Sequence, residues 1–236
     1  MIEKLKSCFE EGWWQKLSPF FVNGGFDNIA RTLNAQKNTG LEVTPGFDKV
    51  FRAFKECPYD KLKVVMMGQD PYYQKGVADG LAFSAKNHVF DPPASFKLMS
   101  NAIEREVYDG FAIGYNEEYA YADLTRWANQ GVLLINCALT TIVGKTQQHM
   151  DLWAPFMRHL FNTLRNDNTG IIYILLGKDA KQWKVLINPV RNHLFTVTHP
   201  ASVAYTGRNV WDSEGVFLNT NKLLEQMNGP EAKILW

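Results

Sequence analysis

The stretch "LKVVMMGQDPYYQKG" (62–76) begins as a continuous apolar run and turns polar abruptly at an acid, an amide and two phenols. Short continuous runs rich in Val, Ile and Leu are typical of strands that are covered on both faces, as in a parallel sheet. Three further runs of this kind follow along the chain: "VLLIN" (132–136), "IIYILL" (171–176) and "LFTVT" (194–198). With residues 62–67, they predict four buried strands.

Helical patterns separate these runs. The segments 95–107, 117–131 and 151–167 carry apolar residues at helical spacing, and Asp151 is a suitable N-cap for the last. Strands that alternate with helices predict an α/β fold with a central, mostly parallel four-stranded sheet and helices on both faces. No composition break divides the chain, so residues 1–236 are expected to form a single domain, with an N-terminal helical segment over 1–40.

The composition, net charge and cysteine count argue against several classes of protein. Hydrophobic residues make up 46% and charged residues 21% of the 236 residues, which is ordinary for a globular chain and argues against disorder. The formal net charge of +1 gives no overall basic field, although a local basic patch remains open. Three scattered cysteines favour a reducing compartment over a disulfide framework. Without a secretory or membrane-spanning apolar segment, the expected location is cytoplasmic, or nuclear in a eukaryotic or viral setting, with no membrane partner.

Polar residues follow all four predicted strands. In open α/β sheets, ligands bind outside the carboxyl ends of the strands, so these residues are expected to share one edge. Each of these residues taken alone has an ordinary structural explanation. An Asp before Pro is often only a turn residue, and aromatic residues nearby usually belong to the core. Together they favour a site made of Gln69 and Asp70, Asn136, Gly177 and Lys178, and His199 and Pro200.

Most common catalytic motifs are absent from the sequence. It contains no nucleophile elbow, no P-loop and no metal-ligand spacing of Cys or His. Ordinary glycosidases need two flanking carboxylates, whereas only Asp70 can be assigned to the edge, because the direction of Asp79 is undetermined. One acid, one His and one Asn suit a substrate whose leaving group is already fairly stable.

Five segments resemble the GQDPY-type uracil-DNA glycosylases in order and spacing. The likeness extends from about residue 40 to the end, and its first motif is highly specific. The segments are "GQDPYYQKGVADGLAFS" (68–84), "PPAS" (92–95), "QGVLLINCALT" (130–140), "IIYILLGKDAKQ" (171–182) and "THPASVAYTGR" (198–208).

The resemblance implies a role for each residue of the base pocket. Ionised Asp70 would stabilise a cationic sugar and orient the attacking water, while His199 would donate a hydrogen bond to uracil O2. Phe83 would stack on the flipped base and Tyr72 would exclude a methyl group at C5. Asn136 would pair with N3–H and O4, and the backbone N–H of Gln69 would contact the uracil oxygens. The resemblance implies no metal and no organic cofactor.

The resemblance also implies a DNA-binding face and partners. The expected partners are uracil-containing DNA, single- or double-stranded, and a protein inhibitor of such enzymes, with the chain itself a monomer. The residues expected to grip DNA are Ser95, Gly177, Lys178, Pro200, Ala201, Ser202, Val203 and Arg208.

The sequence departs from the family at four positions. Tyr73 stands where the family usually has His, and Ala201 and Ser202 replace a Ser and a Pro. Val203 replaces the Leu that wedges into the base stack, so activity on duplex DNA is expected to suffer relative to single strands.

Two alternatives to a uracil-DNA glycosylase remain. A DNA- or replication-partner-binding protein on the same fold, with weak catalysis, is disfavoured because the catalytic set is complete. A glycosylase for another damaged base is disfavoured by Tyr72 and Asn136 together.

Overall fold

A computed structural model describes residues 2–87, 91–110, 122–167, 169–205 and 210–236. The strands of this part of the chain are β1 (Val43–Thr44), β2 (Val64–Gly68), β3 (Val132–Asn136), β4 (Thr141–Ile142), β5 (Ile172–Leu176) and β6 (His193–Val197). Its α-helices are α1 (Ile2–Lys6), α2 (Glu11–Val22), α3 (Asp27–Asn38), α4 (Arg52–Glu56), α5 (Ala94–Val107), α6 (Thr125–Asn129), α7 (Met150–Asp167), α8 (Lys178–Lys181) and α9 (Val216–Asn228). Short 3₁₀ helices cover Tyr59–Lys61, Gln182–Leu186, Pro200–Tyr205 and Pro230–Ala232.

The central sheet has four strands in the order β3-β2-β5-β6, and every neighbouring pair is parallel. Val64 of β2 pairs with Val132 on one side and with Ile172 on the other. All residues of β2, β3 and β5 are buried, which explains why these strands read as continuous rather than alternating apolar runs. The predicted α/β fold and all four strands are confirmed, and the strand limits differ from the predicted ones by two residues at most.

The strand order fixes where a ligand can bind. β2 comes first in the chain but lies inside the sheet, with β3 on one side and β5 on the other. The crossovers to β3 and to β5 therefore run in opposite directions, which places helices on both faces and opens a crevice between the ends of β2 and β5. Asp70 follows β2 and Gly177 follows β5, so both lie at this crevice.

The helices agree with the sequence patterns in part. α5 and α7 match the predicted segments, but α7 begins at Met150, so Asp151 lies in its first turn rather than at the N-cap. Only Thr125–Asn129 of the segment predicted over 117–131 forms a described helix, and residues 111–121 lie outside the described residues.

The N-terminal segment consists of three helices rather than one. The aromatic face of α2 packs on α7, with the rings of Phe20 and Phe156 5.4 Å apart. A small antiparallel sheet pairs Val43 with Ile142, and its two-residue strands are too short to leave a sequence pattern. No helix in the described ranges combines the length and apolarity that crossing a bilayer requires.

Candidate active site

A cavity of about 860 Å³ opens at the carboxyl ends of the parallel strands. It contains the six residues that the sequence assigned to base binding and cleavage: Gln69, Asp70, Tyr72, Phe83, Asn136 and His199. The loops that follow β2, β3, β5 and β6 each contribute to its lining. The cavity therefore lies at the edge of the sheet to which the strand-end rule pointed.

Gly68, the last residue of β2, leaves room for the floor of the cavity. A Cβ atom at this position would lie 2.6 Å from Asn136 Oδ1 and 2.9 Å from Phe83 Cζ. Real Cβ atoms do not approach other atoms so closely, so only glycine lets both side chains close over the end of the strand. Phe83 and Asn136 are 6% and 8% exposed.

Phe83 has an unusual backbone conformation. Its φ of +65° lies in the left-handed region, which is uncommon for a bulky non-glycine residue and persists only where the surroundings fix it. One fixing contact is the Tyr72 hydroxyl, which donates to the Phe83 carbonyl oxygen at 3.2 Å. The Phe83 ring lies 5.6 Å from the His199 ring at an interplanar angle of 36°.

A buried carboxylate, Asp79, holds the turn that carries Phe83. It is 5% exposed and accepts hydrogen bonds from the Ser84 hydroxyl at 2.7 Å and the Lys86 N–H at 2.9 Å. Arg52 Nη1 pairs with the same carboxylate at 3.1 Å and also donates to the Asp79 carbonyl oxygen at 3.2 Å. The carboxylate of Asp79 thus belongs to the protein interior, which settles the direction that the sequence left open.

Asp70 is half-buried and fixed by one strong hydrogen bond. The backbone N–H of Gln147 donates to Asp70 Oδ2 at 2.6 Å. Burial raises the pKa of Asp70 above its ordinary value, the Gln147 N–H opposes this rise, and the negative charge of Asp179 adds to it. A partly desolvated carboxylate interacts more strongly with a developing positive charge than one in water.

The imidazole of His199 is neutral with a defined tautomer. The Ala201 N–H donates to Nδ1 at 3.1 Å, so the ring proton of the neutral form lies on Nε2. Burial lowers the pKa of His199 to about 4, although Asp179 acts in the opposite direction. Gly177, with φ +91°, allows His199 to pack closely against the backbone that follows β5, because a Cβ at position 177 would lie 2.9 Å from His199 Cβ.

Most residues predicted to grip DNA lie at the rim of the cavity. Lys178 and Ala201 are exposed, whereas Pro200 is buried and Val203 packs half-buried against the core. Tyr205, which the sequence analysis did not single out, also lines the rim and is 90% exposed. Arg208 lies outside the described residues. The predicted residues that line the cavity here are Ser95, Gly177, Lys178, Ala201 and Ser202.

Two further residues of the cavity escaped the sequence analysis. Gln147 lies on a loop with no motif, and nothing in the sequence marks it. Asp179 directly follows Lys178 at the end of β5, so the strand-end rule could have found it. Among the described residues, no group of three or more His, Cys, Asp or Glu side chains could hold a metal ion.

Sequence comparison links the chain to one family. A sequence model of the uracil DNA glycosylase superfamily matches residues 54–225. The chain is 33% identical to a uracil-DNA glycosylase of Dichelobacter nodosus, over 83% of this chain and 82% of the relative. It is 30% identical to a uracil-DNA glycosylase of Wolinella succinogenes, over all of this chain and 96% of the relative.

Comparison with solved structures shows the same fold. The crystal structure of mimivirus uracil-DNA glycosylase superposes with a TM-score of 0.84 at 21% identity, covering 98% of this chain and 88% of that one. A mimivirus variant solved in complex with UGI has a TM-score of 0.83 at the same identity and covers 97% and 88% of the two chains.

Proposed function

The chain belongs to the uracil DNA glycosylase superfamily, and from this premise we propose how its own residues remove uracil from DNA. It is an enzyme, a uracil-DNA glycosylase of DNA repair. The assignment of roles rests on one observation above all: Asp70, Asn136, Phe83 and His199 converge on a single cavity at the crevice of the sheet.

The uracil nucleotide has to leave the base stack before it can react. A base inside a duplex is out of reach, and extruding it costs a few kcal/mol of stacking and pairing. The flipped ring stacks on Phe83, whose buried ring is already oriented by its backbone and by Tyr72. Because the floor is already formed and buried before the base binds, little further ordering is needed when the base arrives.

Two side chains select uracil. The amide of Asn136 donates to O4 and accepts from N3–H, a pattern that cytosine cannot match. Tyr72 fills the space beside C5, where thymine carries a methyl group, and its hydroxyl is anchored on the Phe83 carbonyl oxygen. A filled space rejects the larger base more strongly than one missing contact would.

Asp70 stabilises the reacting sugar. The bond between C1′ and N1 breaks with its electron pair on the base, which leaves a cationic sugar and a uracil anion. Ionised Asp70, held by the Gln147 N–H, faces the cation and orients the water that adds to C1′. The proton of that water passes to Asp70 or to solvent, and the uracil anion is protonated after release.

His199 stabilises the leaving base. Its Nε2–H donates to uracil O2, where negative charge grows as the bond breaks, in the manner of an oxyanion hole. The hydrogen bond from the Ala201 N–H keeps this proton on Nε2, and the pKa of about 4 keeps the ring neutral at neutral pH. The N–H of Gln69 contributes to the same oxygens.

DNA approaches the exposed rim. Lys178 and Lys181 supply local positive charge beside the cavity, despite the near-neutral total. Phosphate contacts from the rim position the strand, while the floor specifies the base. A protein inhibitor that covers the same face, the monomeric state and a cytoplasmic or nuclear location stay predictions.

The function is tested with a uracil-containing oligonucleotide followed by alkali, which breaks the strand at abasic sites. We expect Asp70→Asn and His199→Leu each to lower kcat by roughly 10²- to 10³-fold, because each removes a charge or donor that acts mainly in the transition state. Asp60→Asn, at the amino end of the sheet, removes a negative charge far from the cavity and keeps full activity. A wild-type protein that binds this DNA without cleaving it would instead support the alternative of a binding protein.

A further inference from the structure

Two carboxylates of the cavity are connected through a single residue. Gln147 donates its backbone N–H to Asp70 Oδ2 at 2.6 Å and its side-chain amide to Asp179 Oδ2 at 3.2 Å. Both carboxylates and Gln147 line the cavity. Asp70 follows β2 and Asp179 lies on α8 after β5, so Gln147 bridges the crevice at which the substrate reacts.

The conformation of Gln147 fits this bridging position. Its φ of +61° lies in the left-handed region, which is unfavourable for a non-glycine residue. The two hydrogen bonds to carboxylates are charge-assisted and stronger than neutral ones, so they offset this cost. Gln182 donates a second, longer hydrogen bond of 3.5 Å to the other carboxylate oxygen, Asp179 Oδ1.

No described residue of opposite charge lies in direct contact with the carboxylate of Asp179. Within the described ranges, Asp179 forms no ion pair. Amide groups hold its carboxylate without neutralising it. Its negative charge therefore reaches Asp70 and His199 through space.

We propose that Gln147 and Asp179 are a positioning pair for Asp70, in which Gln147 orients the Asp70 carboxylate and places a second negative charge beside it. The proposal rests on the role of Asp70 stated above. The second charge strengthens the attraction for the cationic sugar as it forms, and it repels the phosphates of the DNA in the bound state. Its loss should therefore lower kcat and also lower KM, whereas ordinary structural damage raises KM.

The pH dependence of activity tests the positioning pair independently of kcat and KM. The pKa of Asp70 is raised by burial and by Asp179, so the active carboxylate is lost as pH falls through this raised value. Removing the charge of Asp179 lowers the pKa of Asp70 and also that of His199, so activity persists to lower pH. The other titratable groups that face Asp70 or line the same cavity are Tyr72, Tyr73, Cys137, Lys178, Lys181 and Tyr205.

The decisive experiment compares Asp179→Asn, Gln147→Gly and the double variant with wild type, by steady-state kinetics on a single-stranded uracil oligonucleotide between pH 4 and 8. Glycine at 147 keeps the backbone N–H and adopts a positive φ without strain, so this variant removes only the link to Asp179. We expect Asp179→Asn to lower kcat about 3- to 10-fold, lower KM about 2-fold and move the acid limb about half a pH unit lower. Gln147→Gly should lower kcat, KM and the pH of the acid limb by smaller amounts. Because the Gln147 side chain acts only through Asp179, the double variant should behave like Asp179→Asn alone.

Several results would overturn the positioning pair. A raised KM or an unmoved acid limb in Asp179→Asn would do so, as would additive effects of the two substitutions. Asp60→Asn is the control for loss of a negative charge and should match wild type in all three quantities. Failure of the underlying mechanism is recognised separately: if Asp70→Asn kept wild-type activity, the role of Asp70 itself would be wrong, whatever Asp179→Asn did.

Discussion

The floor and the rim of the active site are built in different ways. The floor consists of Phe83 and Asn136, which are 6% and 8% exposed; the buried turn around Asp79 carries Phe83, and Asn136 ends β3. The rim contains residues of mixed burial, and its most exposed side chains, among them Lys178 and Tyr205, lie on short helical turns. In the proposed function, recognition of the base therefore uses a buried, preformed surface, whereas contact with the DNA strand uses exposed side chains.

The positions at which the chain departs from its family follow the same division. Tyr73 and Ala201 are exposed, and Ser202 and Val203 are half-buried, so all four lie outside the buried floor. Phosphate contacts carry no sequence information and can be supplied by different residues, but the electrostatics of bond cleavage depend on fixed geometry. Because fixed geometry is required for bond cleavage but not for phosphate contacts, residues are expected to diverge on the rim and to be retained on the floor.

The largest effect is expected from Asp79→Ala, which tests whether the floor depends on its buried support. The change leaves Arg52 without one carboxylate and removes the acceptor of three hydrogen bonds, from Leu81, Ser84 and Lys86, at a cost of about 3 kcal/mol in the free energy of unfolding. Because the same turn carries Phe83, kcat/KM on uracil DNA should fall by at least about 10-fold even where the protein is folded. Urea denaturation and steady-state kinetics on the same preparation measure both.

Asp60→Ala, which removes an exposed acid at the other end of the sheet, is the matched control and should leave both quantities unchanged. If Asp79→Ala lost stability but kept wild-type kcat/KM below its unfolding midpoint, the turn would support the fold and not the floor.

Tyr72, the side chain proposed to exclude a methyl group at C5, gives the next prediction. Tyr72→Ala should open the space beside C5, so thymine excision should rise about 10-fold or more above the wild-type level, in line with the discrimination that one methyl group allows. Release of thymine from a thymine-containing oligonucleotide measures this directly. Uracil excision should fall at the same time, because the hydroxyl that anchors the Phe83 carbonyl oxygen is lost.

Tyr72→Phe separates the two roles of this side chain. It keeps the ring beside C5 and removes only the hydrogen bond, so it should lower uracil excision slightly and still reject thymine. Complete rejection of thymine by Tyr72→Ala would remove the steric account of selectivity.

Part of the cavity could be predicted from the sequence because several of its residues follow the ends of strands. Asp70 and Asn136 follow continuous apolar runs, and in a parallel sheet such ends must share one edge. His199 also follows such a run, whereas Phe83 was assigned through the resemblance to a family, and the structure places both beside the same cavity.

The residues that the sequence could not place depend on distant contacts. Asp79 is buried because Arg52, 27 positions earlier in the chain, reaches its carboxylate, and no local pattern records such a pairing. Gln147 reaches Asp70 from a loop 77 positions away. The three N-terminal helices read as one helical segment, because the aromatic residues of α2 are fixed by packing on α7 rather than by periodicity alone.

The smallest effect is expected at the rim, where two side chains compete for one role. Val203 is half-buried against the core, whereas Tyr205 ends the same 3₁₀ helix and projects 90% exposed beside the cavity. We therefore expect Tyr205, rather than Val203, to stack on the bases that flank the flipped nucleotide, an interaction worth about 1 to 3 kcal/mol per base in other proteins. Tyr205→Ala should lower kcat/KM on duplex uracil DNA about 5- to 10-fold and on single strands about 2-fold, because only the duplex leaves a gap in a base stack. Val203→Ala is the matched control. It should reduce stability slightly and change kcat/KM on duplex and single-stranded DNA equally. A larger duplex-specific loss in Val203→Ala than in Tyr205→Ala would show that Val203 is the wedge, as the sequence predicted.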